Sequence, residues 1–130
     1  MSVNVEWDDS EQTILRYTYE AGWTWEEYAA AVAEATRLVV KVDSQIDVIG
    51  DFSKSTLLPE RALSNFRKSL ATSPDTVPFK MVVLIIRNEF IARMLDTFGR
   101  MYPSARGKIR SAPSLEDARR IIRADRATRR

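Results

Sequence analysis

Apolar and polar residues alternate from Val3 to Trp7, the period of a strand with one buried face. Asp8-Asp9-Ser10-Glu11 reads as a turn, and Ile14 to Tyr19 is rich in β-branched and aromatic residues, so the chain opens on a predicted antiparallel hairpin. The period then lengthens. Trp25, Tyr28, Val32, Ala35 and Val39 recur at helical spacing and leave Glu26, Glu27, Glu34 and Arg37 for solvent. Thr24 stands where a cap belongs, Glu27 completes a capping box, and Trp23 and Tyr28 are spaced as a hydrophobic staple.

A second strand-like segment, Gln45 to Gly50, runs into a predicted loop, Asp51-Phe52-Ser53-Lys54-Ser55-Thr56. Pro59 suits a first helical turn, and Leu63, Phe66 and Leu70 give that second helix a buried stripe. Past the break at Ser73-Pro74-Asp75, Met81 to Ile86 is apolar on both faces, as a central parallel strand must be. Asn88 is placed to cap a third helix carrying Ile91, Leu95, Phe98 and Tyr102. Lys108-Ile109-Arg110 predicts a short last strand. Ser114 and Asp117 then open a final helix with Leu115, Ala118, Ile121 and Ile122 inward, and a basic tail from about residue 124 is expected to fray. The order ββαβαβαβα predicts a single α/β domain, a mixed sheet with helices packed on it.

Composition narrows the chemistry. The 130 residues include no Cys and no His, which excludes a disulfide, a thiolate nucleophile, a Cys/His zinc site, an imidazole base and a Ser-His-Asp triad. Gly22, Gly50, Gly99 and Gly107 are isolated, so no phosphate-cradling glycine motif exists. The adjacent carboxylates Asp8-Asp9 and Glu26-Glu27 diverge from one another and read as solvated charges and caps. No cofactor is implied, and the expectation is a non-enzymatic protein. The longest apolar run has six residues against the about 20 that span a bilayer, so no membrane insertion is expected and a cytoplasmic location is the default.

Charge is unevenly distributed. Residues 1–60 carry 12 acidic and 4 basic side chains, and residues 61–130 carry 6 acidic and 16 basic. Arg119, Arg123 and Arg126 share a helical face, a candidate anion-binding surface for nucleic acid, anionic lipid or a small ligand. The same residues equally fit a solvated face at a helix C-terminus, where cations suit the dipole.

Two further places attract attention. Asp51, Ser53, Ser55 and Thr56 follow a predicted parallel strand, and the carboxyl ends of such strands are where open α/β sheets place their ligands. They form a candidate binding or regulatory loop, with capping of the turn and the next helix as the alternative. On the third helix a second apolar line, Phe90, Met94 and Met101, runs beside the first. It reads as core packing or as a candidate partner face for a homodimer or another protein.

The element order, together with Ile46-Asp47-Val48-Ile49-Gly50-Asp51-Phe52-Ser53 and the ending Ile109-Arg110-Ser111 to Ser114-Leu115-Glu116-Asp117-Ala118, resembles a STAS domain. That family includes bacterial anti-sigma-factor antagonists (the SpoIIAA-like fold) and the cytosolic tails of sulfate transporters. The resemblance implies a regulatory module that works by binding a protein partner. Switchable members carry an Asp-Ser-Ser-Gly-type phosphorylation motif after this strand, where the present chain reads Ser55-Thr56-Leu57-Leu58-Pro59-Glu60. The fold and partner-binding role are what the resemblance implies; the phosphorylation motif is not reproduced.

Overall fold

The computed structural model describes residues 2–41, 46–54, 79–89, 92–93 and 108–128. Within them lie strands Val3–Trp7 (β1), Ile14–Glu20 (β2), Ile46–Lys54 (β3), Phe79–Ile85 (β4) and Lys108–Ala112 (β5), with helices Trp25–Val39 (α1) and Leu115–Thr128 (α2). The strands form one mixed sheet in the order β1-β2-β3-β4-β5. β1 runs antiparallel to β2, and β2, β3, β4 and β5 are mutually parallel. The α/β class and mixed sheet read from periodicity are those observed.

The hairpin turn is built by Asp9. Its carboxylate accepts the backbone N–H of Thr13 (2.9 Å) and of Ile14 (3.0 Å), and the Thr13 hydroxyl as well. These bonds hold Gln12 at φ 59, a left-handed conformation that a non-glycine residue adopts only when its surroundings enforce it. Burial alone pushes the Asp9 carboxyl upward, but those donors outweigh it and hold the group below its ordinary range.

α1 begins as its sequence predicts. The Thr24 hydroxyl accepts the N–H of Glu27, and the Glu27 carboxylate accepts the N–H of Thr24. The other Glu27 oxygen accepts the Ser2 N–H at 2.8 Å, which ties the helix start to the beginning of β1. The predicted staple is present, with Trp23 and Tyr28 ring centroids 6.3 Å apart. The buried stripe differs from expectation. Ala31, Ala35 and Val39 are the buried residues, while Val32 is exposed. Small side chains let the helix approach the aromatic sheet beneath, so the closest line is the alanine line rather than the line of larger residues.

Each face of the sheet carries its own core. Under α1 lie Val3, Leu15, Tyr17, Tyr19, Trp23, Ile46, Val48 and Phe52. Tyr19 and Phe52 stack with centroids 4.1 Å apart and planes 6° from parallel. Burial, and secondarily the neighbouring tyrosines, push the Tyr17 and Tyr19 hydroxyls well above their usual range. Gly50 lies at the closest approach. A Cβ there would meet Leu84 Cδ2 at 2.7 Å, so the missing side chain is what admits Leu84. On the opposite face Ala118 and Ile122 of α2 pack on Ile14, Ile49, Met81, Val83, Ile85 and Ala112. Leu115 and Ile121, half-buried, complete the inward set expected of this helix.

Two boundaries move. β3 continues through Asp51 to Lys54 where a loop was expected, because Asp51 pairs with Thr18 on one side and Ile85 on the other. α2 stays helical to Thr128 in the segment expected to fray. The predicted second helix lies outside the described residues. Of the third, Glu89, Ala92 and Arg93 are helical, and Ala92 N–H donates to the Asn88 carbonyl at 3.0 Å. No helix among the described residues is long and apolar enough to cross a membrane.

Candidate functional site

The carboxyl half of β3 places two of the expected site residues. Side chains alternate along a strand, so Ile49, Asp51 and Ser53 share the α2 face, while Val48, Gly50 and Phe52 face α1. Asp51 and Ser53 are half-buried, and Asp51 Oδ1 accepts the Ser53 N–H at 2.9 Å. That bond turns one carboxylate oxygen onto the strand's own backbone. Ser55 and Thr56 lie outside the described residues.

Register shows what surrounds Asp51. It pairs with Thr18 of β2, and Thr18 pairs with Asn4 of β1, so Asn4, Thr18 and Asp51 form a polar row across three strands. One step down the sheet, the Glu6 carboxylate accepts an Arg16 N–H at 2.8 Å. Apart from Ile14, which packs under α2, the β1–β2 side of this face is thus polar, and the β3–β5 side carries the apolar residues beneath α2 together with Asp47, Asp51 and Ser53. Alternation in Val3–Trp7 and Ile14–Tyr19 carried the signal for this polar row. That it adjoins Asp51 follows only from strand pairing.

The basic C-terminal helix meets the acidic first half of the chain directly. Arg119 Nε and Nη2 donate to the Asp8 carboxylate at 2.9 and 2.8 Å, and Arg16 Nη1 donates to it at 2.5 Å. The Asp8 side chain is 2% exposed, so it is a buried, twice-paired carboxylate and not the solvated turn charge expected. The Arg119 hydrogen bonds, joined by the charges of Arg119 and Arg16, overcome burial and hold Asp8 below the usual carboxylate range. Arg119 is correspondingly raised, chiefly by its bonds to Asp8.

Seven residues further along α2, Arg126 Nε donates to Asp47 Oδ2 at 2.7 Å and Nη2 donates to the Thr13 carbonyl at 3.0 Å. Asp47 is fully buried, within β3 between Ile46 and Val48. Arg119 and Arg126 of the candidate anion-binding face are therefore bound to internal carboxylates, and Arg123 of that face is exposed. An acidic residue inside an apolar strand was the one sequence sign of Asp47. Its partner lies 79 positions away, beyond any local pattern.

The candidate partner face Phe90, Met94 and Met101 lies outside the described residues. Among the described residues no cluster of three or more Asp and Glu could hold a metal ion. No protein-family model, curated protein or solved structure matches the chain.

Proposed function

We propose that the chain is a non-enzymatic regulatory or protein-interaction module of STAS-like fold, which engages a protein partner through the carboxyl end of β3 and the polar row beside it. The observation that carries this reading is the placement of Asp51 and Ser53. Both stand half-buried on one sheet face, at the end of a central parallel strand, with Thr18 paired to Asp51 and Asn4 one strand beyond. Such strand ends are where α/β sheets present recognition groups. The mixed sheet and its helices supply the α/β class that the resemblance implies. The alternative use of the arginines for nucleic acid or lipid loses support, since Arg119 and Arg126 already answer Asp8 and Asp47.

Site-specific crosslinking tests the proposal. A photoreactive residue at Ser53, in the full chain expressed in its native cell, is expected to form an adduct with one defined protein. Asp51→Arg should abolish that adduct while circular dichroism and Tm stay unchanged. An adduct indifferent to Asp51→Arg would overturn the reading, and so would the lack of any protein adduct alongside a small metabolite that raises Tm.

A further inference from the structure

Besides its buried line, α1 carries a second apolar line that meets nothing of its own sheet. Ala29, Val32 and Ala33, then Thr36 and the C-cap residue Val40, recur at i, i+3, i+4, i+7 and i+11, centred about 120° round the helix from the buried residues. All five are exposed. Val32 at 36% and Val40 at 76% are the two exposed large hydrophobic residues among those described, and both fall on this line.

The charges beside the line identify what fits it. Glu26 and Arg37 lie along the same flank, eleven positions and about 16 Å apart. The flank is thus acidic near the amino end and basic near the carboxyl end. Two copies of α1 laid antiparallel and centred on Val32 bring Glu26 of each beside Arg37 of the other. In the same arrangement Ala29 meets Thr36 and Val32 lies on the two-fold axis. A parallel pair would set this flank against the opposite flank of its partner, where Glu26 and Arg37 of the two copies do not meet. Arg37 already donates through Nε to Glu34 Oε2 at 2.9 Å, and its five-donor fork has capacity for a further carboxylate. Ala29 and Ala33 allow the close interaxial approach, about 8 Å, that small residues permit.

We propose that α1 is a homodimerisation surface, pairing antiparallel with α1 of a second copy across a two-fold axis at Val32. The pairing is isologous, as closed dimers require. One helix pair buries less than the about 1,600 Å² of a standard interface, so the dimer is concentration-dependent. It uses a different element from the β3 surface and stands independently of the function proposed above.

The full chain is measured by sedimentation velocity from about 1 µM to about 1 mM, a range that brackets weak association. Association is expected to rise with concentration. Glu26→Lys and Arg37→Glu should each weaken it at least tenfold, and the two together should restore it to within about threefold of the parent, with Tm as the control for folding. Because the chain has no Cys, Val32→Cys supplies a second readout: diamide should link it into a disulfide dimer. A monomer throughout the range, single charge reversals without effect, a double reversal that fails to restore association, or no Val32→Cys dimer would each overturn the proposal.

Discussion

Replacing Arg126 by Met keeps the aliphatic stem but removes the guanidinium from a carboxylate that water cannot reach. Asp47 is 0% exposed, whereas the Arg126 side chain is about a third exposed, so the two ends of this pair are not equivalent. Removing one partner of a buried pair costs roughly 3–5 kcal/mol, mostly for the charge left behind. The partial exposure of Arg126 puts Arg126→Met at the lower end, about 3 kcal/mol. Removing the carboxylate instead leaves an arginine that can turn to solvent, so Asp47→Asn should cost only about 1–2 kcal/mol. With roughly 2.1 cal/mol/K of unfolding entropy per residue, 130 residues convert 3 kcal/mol into a fall in Tm of about 11 °C. Urea unfolding followed by fluorescence of the three tryptophans measures both variants at neutral pH. The apolar double replacement, Asp47→Leu with Arg126→Met, should recover at least half of the loss. If Arg126→Met costs no more than Asp47→Asn, or the double variant is worse than either single, the pair does not act as a buried clamp and the reasoning fails.

Two other outcomes follow from the same structure. Gly50→Ala places a Cβ 2.7 Å from Leu84 Cδ2, an overpacking expected to cost about 1–3 kcal/mol in urea unfolding; Leu84→Ala should relieve it in part when combined, and additive losses would show that the contact is not the cause. Asp8 is held below its ordinary value in the folded state, so its contribution is full above the unfolded carboxylate range and is lost as pH falls through the lowered folded value. Unfolding free energy measured from pH 5 to pH 2 should therefore fall less steeply in Asp8→Asn than in the parent, and parallel slopes would refute the assignment.

The candidate site was partly legible. Asp51 and Ser53 stood out because a polar run follows an apolar strand, a signal contained in a few adjacent residues. That the run stays in the strand to Lys54 was not legible, since it depends on hydrogen bonds that β2 and β4 supply from either side. Asn4 is a polar position of the alternating Val3–Trp7 and Thr18 a β-branched one in Ile14–Tyr19, and only register sets them in line with Asp51. Val32 was misread for a related reason. Helical spacing identifies amphipathic lines, but which line approaches the sheet depends on the bulk of the aromatic residues it meets.

Local order by itself determined the strands, the capped start of α1, the hairpin and the α/β class, because periodicity, capping and turn chemistry act within a few residues. The same residues defined an acidic first half and a basic second half without saying whether the halves meet. Tertiary structure decided that. α2 crosses the sheet so that Arg119 reaches Asp8 over 111 positions and Arg126 reaches Asp47 over 79. Charges at such separations have no sequence signature, because their pairing is set by where packing places the two elements and by the need of a buried carboxylate for a counter-charge.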